Sequence, residues 1–139
     1  MSYAIEDLQP GMSAQFTKTV SERDITLFGE VSGDTNPVHF DETFARTTPF
    51  KGRIAHGVLT ASYISTVLGM QMPGPGTIFL GLNIRFKAPV RIGDTVTATC
   101  TVREIVPEKR RVVFECTCRI ADTGVIEGEA TVMPPPRKT

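Results

Sequence analysis

A chain of 139 residues has the length of one ordinary domain and falls short of two. Its 15 basic and 15 acidic side chains cancel, which removes the overall field that would draw it to nucleic acid or to an anionic membrane. With 40% hydrophobic residues, no Trp and 2 Tyr, it has material for a core but little aromatic surface for stacking single-stranded bases.

Residues 1–139 therefore read as a single domain. No run of about 18 apolar residues occurs, and Met1 to Gly11 carry Glu6 and Asp7 in place of a basic start and an apolar stretch. The expectation is a soluble, unprocessed protein. Cys100, Cys116 and Cys118 are an odd set without CxxC spacing, which favours buried thiols in a reducing, cytoplasmic setting over a disulfide framework.

In chain order, Ala14 to Val20 supplies a strand with Phe16 and Val20 directed inward. Ser21 followed by Asp24, ahead of Ile25, Leu27, Phe28 and Val31, has the spacing of a capped amphipathic helix over about 22–31. Gly33-Asp34-Thr35-Asn36-Pro37 then concentrates turn formers, and Pro37 disfavours helix at Asn36. Asp41 can cap a further helical turn through Phe44 and Ala45. From Gly57 to about Gln71 the residues are apolar or small all round and none is charged, which predicts a buried central helix. Pro73-Gly74-Pro75-Gly76 stops it.

Strand patterns follow. Leu80, Leu82, Ile84 and Phe86 alternate with Gly81, Asn83, Arg85 and Lys87, predicting one buried face. Val96, Ala98, Cys100 and Val102 form the next inward set, then Val112, Phe114, Cys116, Cys118 and Ile120, then a last strand from Val125 to Met133. Close turns between long strands imply an antiparallel sheet, and one long helix laid on it gives an α+β fold with a two-layer core. The edges of such a sheet need cover, which a second copy of the chain would provide.

Two histidines occur, His39 and His56. His39 stands five residues after Asp34 across the Asn36-Pro37 bend, so a carboxylate and an imidazole can meet around one water. The plainer alternative is a capped turn with a half-buried histidine. His56-Gly57 opens the long helix, where amides lack partners and carry the positive end of the helix dipole. The Gly57 amide could hold an oxyanion, since a residue without a side chain admits close approach. Ser62, about a turn and a half later, could bond a ligand or only allow close packing. Asp34, His39 and His56 are metal-ligand types, but their spacing matches no helical zinc motif and no metal is expected. No GxSxG surrounds any Ser, which disfavours a serine hydrolase. Cys116 and Cys118 point to the same side of an apolar row, as core thiols do.

The run Gly33-Asp34-Thr35-Asn36-Pro37-Val38-His39-Phe40-Asp41, then Phe44-Ala45 and Ile54-Ala55-His56-Gly57-Val58-Leu59, resembles the MaoC-like, (R)-specific enoyl-CoA hydratase family. The likeness extends through Gly81 to Val90 and Gly93-Asp94-Thr95-Val96, and is strongest to the short hydratases linked to polyhydroxyalkanoate precursor supply. It implies a hotdog fold, a sheet wrapped around a central helix, usually paired as a homodimer with sites at the subunit interface. It implies reversible syn hydration of a trans-2-enoyl-CoA to an (R)-3-hydroxyacyl-CoA, without metal or organic cofactor. Asp34 and His39 match the catalytic pair, Ser62 the serine that shapes the site, and the Gly57 amide the donor to the thioester oxygen. Arg85 and Lys87 are candidates for the CoA phosphates, with solvated surface charge as the alternative. Met70, Met72, Phe79 and Leu80 are candidates for setting acyl length.

Two alternatives stand beside the hydratase. One is an acyl-CoA thioesterase of the same fold, which generally places an acid on the central helix, where Gly57 to Gln71 has none. The other is a non-catalytic acyl-CoA-binding subunit, which has no need of a water-handling pair.

Overall fold

The computed structural model describes residues 2–137. Strand β1 (Ser13–Thr19) is followed by helices α1 (Glu22–Ser32), α2 (Pro37–Phe40), α3 (Glu42–Ala45) and α4 (Gly57–Met70). Strands β2 (Ile78–Phe86), β3 (Thr95–Val106), β4 (Arg111–Ile120) and β5 (Thr123–Met133) complete the chain. They form one five-stranded sheet in the order β1-β3-β4-β5-β2, and every neighbouring pair is antiparallel. Helix α4 lies against β1, β2, β3 and β4. This is the hotdog arrangement that the sequence implied.

Local chemistry explains the starts and stops. The Ser21 hydroxyl accepts from the Asp24 amide at 3.1 Å, while the Asp24 carboxylate accepts from the Ser21 amide at 3.0 Å. This reciprocal box sets the first turn of α1. Gly33 ends that helix at φ 78°, a left-handed conformation that costs glycine little, with its N–H on the Gly29 carbonyl. Asn36 and Asp41 cap α2 and α3 through their side chains.

The core lies between α4 and the inner face of the sheet. Val96, Ala98, Cys100, Val102, Val112, Phe114, Cys116 and Cys118 are all buried, as their alternation predicts, and they meet Ile64, Val67 and Leu68 of α4. Truncating Phe114, the largest fully buried side chain, would cost about 3–5 kcal/mol. The three cysteines are free and buried. Burial pushes the Cys118 thiol up to about 12, and a hydrogen bond with Cys116, together with burial, raises that of Cys100, so these two thiols are core groups and not nucleophiles. Among the described residues, no helix is long and apolar enough to cross a membrane.

Two expectations need correction. Helix α4 is not enclosed: Leu59, Ile64, Val67 and Leu68 are buried, but Val58 is 62% and Met70 67% exposed, and Gly57, Ser62 and Ser65 share the open surface. The sheet covers one side of the helix only. Strand β2 was expected to bury one face, yet Leu80, Leu82 and Phe86 are 43%, 42% and 56% exposed. It is an edge strand paired to β5 alone, and a register shift between Phe79 and Gly81 breaks the alternation at Leu80.

Candidate active site

The turn between α1 and α2 is built from its own side chains. One Asp34 carboxylate oxygen accepts from the Asn36 amide at 3.2 Å, and the Asn36 side chain accepts from the Val38 amide at 3.1 Å. Pro37 then opens α2 at a position where its missing N–H costs nothing. The capped-turn reading is therefore correct as far as it goes. It also has a consequence: Asp34 stands exposed while His39, on α2, is buried.

His39 is 7% exposed, and its Nδ1 lies 2.8 Å from the Ile54 carbonyl. A carbonyl only accepts, so Nδ1 carries the proton and Nε2 is left as the lone-pair nitrogen. Burial holds the ring below the ordinary histidine value, partly opposed by the bond to Ile54. His56, the residue before α4, is 2% exposed, and its Nε2 lies 2.9 Å from the Asp34 backbone carbonyl. Its ring stacks on that of His39 with centroids 3.9 Å apart and planes at 27°. Ligand-type atoms of Asp34, His39 and His56 all lie within 4.8 Å of one another.

That cluster has the residue types that hold metal ions. Each ring gives one nitrogen to a backbone carbonyl and keeps the other free. A bound ion lies in the plane of each imidazole that holds it, about 2 Å from the nitrogen, and planes stacked at 27° meet farther out than that. What the arrangement suits is a small polar molecule between a carboxylate and a neutral imidazole.

At the start of α4 a cavity of about 370 Å³ is lined by Ile54, Ala55, Gly57, Thr60 and Phe86, with Lys87 among its walls; Asp34, His39 and His56 are not among them. The first-turn amides of α4 face no carbonyl four residues back. The space that a Cβ on Gly57 would need is held by the Phe86 ring, whose Cε1 would stand 2.7 Å away. A side chain here would have to displace that ring, so glycine allows the close approach as the chain stands.

A MaoC like domain model matches residues 7–125. The chain belongs to that family. It is 59% identical over 132 residues to an (R)-specific enoyl-CoA hydratase of Rhodospirillum rubrum, covering 95% of this chain and 92% of that one. It is 46% identical to a 3-hydroxybutyryl-CoA dehydratase of Methylorubrum extorquens, covering 96% and 85% of the two chains. The unliganded R-hydratase PhaJ1 from Pseudomonas aeruginosa superposes with a TM-score of 0.91 at 42% identity, covering 99% of this chain and 89% of that one.

The remaining motif positions of this MaoC-like chain fall unevenly around the cluster. Ser62 sits on the open face of α4 with its hydroxyl donating to the Leu59 carbonyl at 2.5 Å, outside the cavity walls. Lys87 lines the cavity, whereas Arg85 is exposed on β2 and does not. None of Met70, Met72, Phe79 and Leu80 lines it; Met72 is a core residue and the other three are exposed.

One functional residue gave no spacing signal. Arg53 donates through Nε to the His39 carbonyl at 2.7 Å, and its terminal nitrogens grip Glu22 at 2.7 and 2.9 Å. Its own amide donates to Glu42 at 3.0 Å, and Arg91 bonds the carbonyls of Arg53 and Phe50. The segment that supplies the Ile54 carbonyl to His39 is thereby tied to α1, α3 and the loop between β2 and β3. An Arg two residues after Lys51 in a loop looks like a solvated charge until the fold brings Glu22 to it.

Proposed function

We propose that this protein hydrates a trans-2-enoyl-CoA to the (R)-3-hydroxyacyl-CoA and catalyses the reverse dehydration. The observation that carries the reading is the meeting of the Asp34 carboxylate with the neutral His39 imidazole, within 4.8 Å, beside the unpartnered start of α4. The curated hydratase and dehydratase relatives support the same chemistry.

In this reading one water sits between Asp34 and His39. Its oxygen attacks C3, the pair takes up its proton, and a proton is returned to C2, so one water supplies both added groups. His39 enters with Nε2 as the acceptor, because Nδ1–H is committed to Ile54. Enolate charge builds on the thioester oxygen, and the Gly57 amide at the positive end of α4 stabilises it. Ser62 shapes the site from the same helix. Lys87, and on the outer strand Arg85, attract the CoA phosphates, since a chain of zero net charge has no other field to do so. No metal or organic cofactor takes part.

Strand β2 and the open face of α4 leave Ile78, Phe79, Leu80, Leu82, Val58 and Met70 uncovered on one molecule. A second copy pairing along β2 would cover them and make the homodimer, on the pattern by which exposed edges are closed. A sedimentation mass of one chain at micromolar concentration would refute that. The free buried thiols fit a reducing, cytoplasmic setting, and supply of polyhydroxyalkanoate precursors is the role we propose there.

The test is to mix purified protein with crotonyl-CoA and follow the conjugated enoyl-thioester absorbance together with free thiol. Loss of absorbance without thiol supports hydration. Thiol release would make the protein a thioesterase, despite the lack of an acid on α4.

A further inference from the structure

His56 stands where the elements that carry the reactive pair come together. Its ring donates Nε2–H to the backbone carbonyl of Asp34 at 2.9 Å, across 22 residues of chain. Its face stacks on His39 at 3.9 Å. Phe28 of α1 and Phe40 of α2 enclose it, with ring centroids 4.8 and 5.7 Å away. The side chain is 2% exposed, yet Nδ1 has no hydrogen-bond partner. An apolar ring would fill this space without burying an unpaired nitrogen. A residue kept at such a cost is there for what its other nitrogen does.

We propose that His56 is a positioning residue for the hydration, holding the Asp34 main chain in place beside His39 through the bond from its Nε2–H without itself touching the reacting atoms. This rests on the hydratase reading. Asp34 is exposed on a turn that follows a left-handed glycine, and among the described residues its one long-range hydrogen bond is that from His56 to its carbonyl. Without that bond the carboxylate would keep its local contact to Asn36 but drift with the turn relative to His39. The neighbouring residue Gly57 carries the amide that faces the thioester oxygen in the same reading, so one dipeptide would register the carboxylate, the imidazole and the oxyanion donor to each other.

Two variants separate the contacts. His56→Phe keeps a ring to stack on His39 and removes the donor; His56→Gln removes the ring and keeps an N–H that reaches Asp34. With crotonyl-CoA, His56→Phe should lose about tenfold to a hundredfold in kcat, the range for misplaced reacting groups, with KM within about twofold. His56→Gln should recover most of that kcat. Near-normal kcat in His56→Phe, or equally low kcat in both variants, would overturn the proposal. In the unmodified protein the ring nitrogen-15 spectrum must show His56 as the Nε2–H tautomer; an Nδ1–H tautomer would overturn it even if neither variant folds. That spectrum is independent of turnover, so an unmodified protein inert toward crotonyl-CoA would sink the hydratase reading while the spectrum still decides the Asp34 contact.

Discussion

His39 donates its Nδ1–H to the carbonyl of Ile54 over 2.8 Å, and this one bond decides which nitrogen can act as a base. Burial holds the ring below the ordinary value of 6.5, and Asp34, His56 and Arg53 are the charged or titratable groups that act on it. The neutral ring is the working form, so kcat/KM should fall on the acid side only below 6.5. The linkage has the same sign: the unfolded chain takes the proton first, so stability also declines as pH drops from 6.5 toward the lowered folded value. A pH–rate profile with its acid midpoint above 6.5 would contradict this assignment.

Arg53 ties His39 to α1, and its loss should be felt in both stability and turnover. Arg53→Ala removes the donor to a part-buried carbonyl and is expected to cost about 1–3 kcal/mol. Glu22→Gln should cost less than about 1 kcal/mol, because the Glu22 side chain is 55% exposed and such pairs are screened. The hydrogen bond from Arg53 lowers the Glu22 carboxyl, and the Arg53 amide lowers that of Glu42. Both contributions are therefore complete above the ordinary glutamate value of 4.5 and are lost as pH falls through the lowered ones. Denaturant unfolding of the two variants from pH 7 down to about 3 measures this; a Glu22→Gln protein that loses as much stability as the unmodified chain below pH 4.5 would remove the ion pair from the account.

Gly57→Ala tests the start of α4. The added Cβ meets the Phe86 ring at 2.7 Å, but Phe86 is 56% exposed and can swing aside, so stability should change by no more than about 1 kcal/mol. Turnover should fall by about tenfold or more, since the new methyl crowds the amide assigned to the thioester oxygen. Unchanged turnover in a well-folded Gly57→Ala protein would take that amide out of the reaction.

Metal removal should leave turnover untouched. The rings of His39 and His56 stack with planes at 27°, so an ion held in the plane of one would lie out of the plane of the other. Dialysis against EDTA followed by the crotonyl-CoA assay checks this, and a loss of activity restored by zinc would revive a metal centre.

Much of this molecule could be read from spacing, and the parts that could not share a physical reason. The Ser21 and Asp24 box, the start of α4 at Gly57, and the inward rows of β3 and β4 are local patterns, set by neighbours within one turn or one strand. Asp34 and His39 were legible for the same reason, being five residues apart across a proline. The contacts of Arg53 with Glu22 and of His56 with Asp34 span 31 and 22 residues, and no local period encodes them. The alternation in β2 was read correctly as apolar, but a period of two cannot say what covers the apolar side. On one molecule little covers it, because the strand lies at the edge of the sheet.

The central claim is that Asp34 and His39 together handle the water, and turnover of crotonyl-CoA by Asp34→Asn and His39→Ala tests it most directly. Asp34 is exposed, and His39 makes one side-chain hydrogen bond to the protein, so both variants should remain folded by circular dichroism. Each should lose at least about a hundredfold in kcat, the low end for acid–base catalysis. A folded variant of either kind that hydrates crotonyl-CoA at close to the unmodified rate would contradict the account.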